Sequence, residues 1–147
     1  MAETYFLPTP VRRITDAAVP HLHWALRLVM ASVFLYHGTS KFEDPAGFAT
    51  MMGLPSSLGI WVALAEVGAG TMLVAGGFPH RLCDLATRVG GLLAATVMVG
   101  AISIAHWPRW NFVPSEGFPM GGMEFQVVLA VLGLYFLVRG HDPDASQ

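Results

Sequence analysis

The residues LGIWVALAEVGAGTMLVAGGF, positions 58–78, decide the fold. They form an apolar run whose single charge is Glu66. A helix of that length covers about 30 Å at 1.5 Å per residue, the thickness of a bilayer's hydrocarbon core. Three further stretches share this character: 21–38, which contains Arg27; 88–106, apolar between Arg88 and His106; and 120–138, which contains Glu124. None carries the polar stripe that the exposed side of a soluble helix needs. The pattern predicts an all-α chain, an integral membrane four-helix bundle over residues 21–140. A cytoplasmic lead-in (1–20) precedes it and a short cytoplasmic tail (141–147) completes the chain.

Composition agrees. The 147 residues suffice for one domain, and 54% are hydrophobic while 12% are charged. Soluble domains carry roughly 25% charged residues, so this chain has too little polar surface for water. Membrane lipid is therefore its expected surroundings. The net charge of −2 offers no basic face for phosphates, which excludes nucleic acid as a partner. Cys83 is the only cysteine; an internal disulfide and a CxxC redox or zinc motif are excluded, and Cys83 reads as a filler at a loop. Residues 1–20, interrupted by Pro8 and Pro10, do not read as a cleaved signal peptide.

Small residues recur within the runs, as at Ala65, Gly68, Ala69 and Gly70 and again at Gly91, Ala94 and Ala95. Membrane helices use such positions to approach closely. Pro45, Pro55, Pro79, Pro108, Pro114 and Pro119 fall between the runs, where helix breakers belong. Orientation is set by Lys and Arg bias. Arg12, Arg13, Arg27, Arg81, Arg88 and Arg139 lie on one side, against Lys41 and Arg109 on the other. That bias predicts both termini in the cytoplasm and loops 39–57 and 106–119 facing outward.

On this topology the ionisable residues gather at the outer end. His37 and Lys41 close the first helix, and they share a face if it continues through Gly38. Glu66 lies roughly 12 Å into the second helix from the same side. His106 closes the third helix and Glu124 opens the fourth. An ionisable residue inside a span costs roughly 2.5–3.5 kcal/mol, so it turns inward and finds a partner. One reading of the cluster is a site. The other is a pair of register-fixing contacts, Glu66 with Lys41 and Glu124 with His106. Each half of the chain repeats a helix ending in His and a helix carrying Glu, the pattern of a parallel repeat. Arg27 is expected to snorkel to the cytoplasmic interface.

The segment Arg27-Leu28 through His37-Gly38-Thr39-Ser40-Lys41-Phe42 resembles the DoxX/DoxD family signature, an arginine followed by His-Gly-x-x-Lys-[Leu/Phe]. Ala65-Glu66-Val67-Gly68-Ala69-Gly70 resembles that family's Glu-bearing helix, and His106, Asn111 and Gly122-Met123-Glu124 come after it as in many relatives. The resemblance runs over residues 22–140. It implies a small four-helix membrane protein of the bacterial cytoplasmic (inner) membrane, among relatives that include a subunit of thiosulfate:quinone oxidoreductase.

The function this implies is that of an oxidoreductase component with a quinone or small-substrate site at the outer end. His37 and His106 would bond the quinone oxygens, Glu66 and Glu124 would relay protons, and Lys41 would stabilise negative charge. Phe42, Phe48, Trp107, Trp110 and Phe112 would wall the ring, while Lys41 and Arg109 suit an anion and Asn111 lies beside them. A second expectation is a non-catalytic subunit that assembles a complex with other membrane or periplasmic proteins, or with further copies of itself. A third is copper or haem held by His37 and His106 with Met51, Met52, Met120 and Met123 nearby.

Overall fold

The computed structural model describes residues 8–78, 80 and 82–141. The lead-in before Pro8, the tail after His141 and Arg81 of the orientation count lie outside these. The described residues are helical, with no strand beyond an isolated bridge between Ser115 and Phe118. Helix α1 (Thr9–Ala18) passes through a 3₁₀ turn at Val19–His21 into α2 (Leu22–Lys41). Then come α3 (Pro45–Met51), α4 (Ser56–Ala75), α5 (Cys83–Ala101) with a π-helical turn at Ile102–His106, and α6 (Glu124–Arg139). Three helical stretches are long and apolar enough to cross a membrane: Pro10–Lys41, Ser56–Ala75 and Cys83–His106.

Several boundaries differ from the sequence expectation. The lead-in is itself helical from Thr9, with Pro10 in the first turn, where its missing N–H costs nothing. The loop between α2 and α4 contains α3, started by Pro45 and capped by Asp44, whose Oδ1 accepts from Gly47 N at 2.8 Å. Cys83 opens α5 and is buried, with its Sγ 3.4 Å from Ala75 O, rather than sitting in a loop. The last helix begins at Glu124, not near 120. Gly121 has φ +78°, and Gly122 and Met123 donate their N–H groups back to Asn111 O and Arg109 O at 2.8 Å. Residues 120–123 therefore complete a loop, and the 16 residues of α6 reach only about 24 Å.

Consecutive long helices alternate in direction. Arg27, early in α2, donates to Leu73 O, late in α4. Thr87, early in α5, donates to Gly76 O just beyond α4, and Arg88 donates to Leu137 O and Val138 O at the end of α6. Met30, Phe34, Ala69, Leu73, Ala94, Met98, Leu129 and Phe136 draw all four of these helices into one core. His37 and His106 thus lie at one end, Arg27 and Arg88 at the other.

Glycine sets the spacing. A Cβ at Gly91 would come 2.5 Å from Gly133 O, and one at Gly133 would come 2.8 Å from Ala95 N. Here backbone packs on backbone, which no side-chain rotation can relieve. Gly133→Val is expected to lower the stability of the detergent-solubilised protein by about 3 kcal/mol, the upper end of the overpacking range. Gly100, with nothing within 4 Å of its Cβ position, is the control: Gly100→Ala should gain about 0.5–1 kcal/mol of helix stability. Thermal unfolding of the two variants reads the contrast.

Candidate functional site

The site starts from one close contact. A Cβ at Gly38 would lie 2.9 Å from Glu66 Cβ, so glycine is what lets α2 and α4 meet at that level. The helix continues through it, and Lys41 extends back to Glu66, Nζ to Oε2 at 2.7 Å. Both side chains are largely buried, with 14% and 6% exposed. Lys41 also donates to His37 O at 3.2 Å and lies 4.9 Å from the centre of the Phe48 ring. The register-fixing pair expected for Glu66 is therefore present, and its two members also face a cavity.

That cavity has a volume of about 620 Å³. Phe34, Trp61, Val97, Met98, Ile104 and Leu129 supply much of its apolar wall. His37, Lys41, Glu66, Thr96, His106 and Gln126 are its polar contributors. Drug-sized and cofactor sites have this size and this mixture of apolar wall and few polar groups. His37 is exposed at the rim, edge-on to Tyr36.

His106 is buried, carried by the π-helical turn, in which Trp107 N donates five residues back to Ile102 O. Such turns add a residue to the helix and re-aim the side chains beyond it. Nδ1 lies 2.9 Å from Gly121 O, which can only accept, so Nδ1 carries the proton. Nε2 is then free to accept from the Gln126 amide at 3.1 Å, the tautomer of a neutral imidazole. Gln126 Oε1 is left buried with no hydrogen-bond partner.

The remaining sequence candidates build the neighbouring loop instead of lining the cavity. Glu124 Oε2 accepts from Phe112 N at 3.4 Å, and does not pair with His106 as expected. Arg109 donates to the Ser115 hydroxyl and lies over the Phe118 ring, while Asn111 Oδ1 accepts from Val113 N at 2.9 Å. Trp107 is 64% exposed. Of the expected aromatic walls, Phe48 lines the cavity and Phe42, Trp107, Trp110 and Phe112 do not. Among the described residues no cluster of three or more His, Cys, Asp or Glu side chains is arranged to hold a metal ion. Gln126 is absent from the sequence expectation, although it is the sole amide side chain in α6.

Comparison with known proteins identifies the family. The DoxX family pattern matches residues 22–107, more than half the chain. This chain belongs to the DoxX family. A Bacillus subtilis (strain 168) protein bearing the name "Putative oxidoreductase CatD" is 30% identical over 118 residues, covering 78% of this chain and 76% of that one. No solved structure matches significantly. Membership in DoxX together with three apolar spans makes this a multi-pass membrane protein. The DoxX match includes His37, Lys41, Glu66 and His106; Gln126 and α6 lie beyond it.

The Lys41–Glu66 pair makes a specific demand on stability. Glu66→Gln leaves a buried ammonium without its counter-charge and should cost about 3–5 kcal/mol, whereas Lys41→Met combined with Glu66→Leu should recover most of that loss. Thermal unfolding of the single and double variants in detergent measures both.

Proposed function

We propose that this DoxX protein is a quinone-interacting component of a bacterial cytoplasmic-membrane oxidoreductase. In this reading it is a four-helix transmembrane bundle with both termini cytoplasmic, and its cavity opens toward the outer side. The observation that carries the reading is the apolar cavity of about 620 Å³ whose polar contributors include Lys41, Glu66, His106 and Gln126; Gln126 also holds a buried Oε1 with no hydrogen-bond partner. A buried acceptor left unmade costs about 1–3 kcal/mol. Turned toward the cavity, that oxygen would accept a ligand hydroxyl, and a quinol presents two hydroxyl groups on an apolar ring.

The donor set suits both redox forms. The quinone would supply two-electron, two-proton chemistry, with the electrons exchanged through a partner redox protein. Lys41 offers a fixed positive charge beside the site. Glu66, held against Lys41, is a carboxylate that can take a proton from the ligand side. His106, a neutral imidazole buttressed by Gly121 O, can accept a proton at Nε2 if the Gln126 amide rotates, and Oε1 then becomes its acceptor. The apolar wall limits water near these groups, and His37 at the rim connects them to the aqueous side. The name borne by the Bacillus relative accords with a redox role.

A second reading, a non-catalytic subunit that assembles a larger complex, draws on the exposed Trp107, Trp110, Phe112 and Val113 of the loop before α6. The experiment that separates the two is native mass spectrometry with titration of a short-chain benzoquinone and its quinol. The quinol should bind one per chain, and Gln126→Leu should weaken it about tenfold, one hydrogen bond's worth. The His37→Ala, Glu66→Gln double variant should abolish binding of both forms. Equal quinone and quinol binding by that double variant, folded by circular dichroism, would sink the proposal in favour of the assembly role.

A further inference from the structure

The opposite end of the molecule holds a second cavity, about 210 Å³, between the start of α2 and the end of α6. Arg27 lines it and is only 2% exposed. It does not snorkel as expected, since its guanidinium turns inward. Nη1 donates to Leu73 O at 2.7 Å, Nε to His23 Nδ1 at 3.2 Å, and the group sits 4.9 Å from the centre of the Phe136 ring. These contacts satisfy hydrogen bonds but bring no full negative charge. Among the described residues no carboxylate forms an ion pair with Arg27.

Among the described residues, Asp84 and the carbonyls at the end of α6 are already engaged. Asp84 accepts from Arg88 at 2.8 Å and from His141 N at 3.0 Å. The carbonyls of Leu137 and Val138 at the end of α6 take Arg88, not Arg27. Meanwhile Arg139, His23 and His141 also line the cavity. Because His23 Nδ1 accepts from Arg27, its other nitrogen carries the hydrogen and is a further donor. The cavity therefore places further donors around a buried guanidinium. Liquid water occupies about 30 Å³ per molecule, so the space holds a phosphate with room to spare.

We propose that this cavity is a binding site for the phosphate group of an anion, with Arg27 as the buried anchor and His23 and His141 beside it. Guanidinium is the side chain best matched to phosphate oxygens, through parallel N–H donors. Basic pockets between membrane helices near the aqueous boundary take anionic headgroups in this way. The cavity's other wall is apolar, with Val19, Leu22 and Leu26 lining it while remaining exposed toward the surroundings. That juxtaposition fits a phospholipid whose chains lie along α2, and free phosphate shares the same headgroup chemistry.

The test uses the full chain in detergent, read by native mass spectrometry and thermal unfolding. The probes are short-chain phosphatidylglycerol, short-chain phosphatidylcholine and inorganic phosphate. One phosphatidylglycerol should be retained per chain, at least tenfold more tightly than phosphatidylcholine. Saturation by inorganic phosphate at comparable concentration would assign the site to free phosphate, and its failure to the lipid. Arg27→Gln should lose this binding. Since that variant removes a core contact, His23→Glu is the second one: it places a carboxylate beside Arg27, should fold, and should weaken phosphatidylglycerol at least tenfold. Retention of phosphatidylglycerol by His23→Glu at the original affinity would overturn the proposal, as would equal retention of the two lipids. The sequence beyond His141 carries Asp142 and Asp144. Binding that emerges only in the Asp142→Asn, Asp144→Asn variant would give the cavity to the chain's own tail and overturn it too.

Discussion

The Lys41–Glu66 ion pair is the interaction on which the rest of the structure hangs. In a hydrocarbon setting neither charge can stand alone, so the last turn of α2 and the middle of α4 must be brought together. Gly38 makes that approach sterically feasible. At the far end the same two helices are tied again, by Arg27 to Leu73 O. With α2 fixed on α4 at both ends, the space between their halves nearer His37 and α5 cannot close by sliding. A cavity persists where an unconstrained pair of apolar helices would pack.

The small residues contribute in two opposite ways. Near Gly91 and Gly133 a neighbouring backbone occupies the room that a side chain would need, and α5 and α6 are drawn tightly together. Further along α5, at Gly100, nothing fills the same room. Gly100, Ala101 and Ala105 instead line the cavity. The same residue type thus clamps one end of the helix pair and opens the other. What decides between the outcomes is whether a facing helix is present at that level. Opposite Gly91 it is α6, whereas α6 begins only at Glu124 and a loop covers the approach to His106.

Much of this is legible in the sequence because hydrophobic length and charge position are direct physical signals. The runs around Glu66 and after Arg88 become α4 and α5, and the His37, Lys41, Glu66 and His106 group converges because consecutive spans alternate in direction. The chain hides what depends on loop closure. Glu124 reads as a site residue by position, yet the turn at Gly121 and Gly122 commits its carboxylate to Phe112 N. The π-helical turn presents His106 to Gln126, a pairing that ordinary helical periodicity does not reveal. Arg27 departs from expectation for a related reason: its place near a helix end suggests an escape to water, but Leu73 O and the Phe136 ring give it an inward home.

In the proposed four-helix reading, the short last helix has a consequence for the surrounding lipid. At about 24 Å, α6 falls several ångströms short of an average hydrocarbon core. A membrane meets such mismatch by thinning locally or by drawing flanking side chains into its boundary. If the shortfall falls at its first turn, it lies beside Phe125, which is 46% exposed and also lines the large cavity. Lipid thinned at that point would bring its headgroup layer level with the cavity mouth. A hydrophobic molecule dissolved in the bilayer could then pass sideways into the protein without first crossing water.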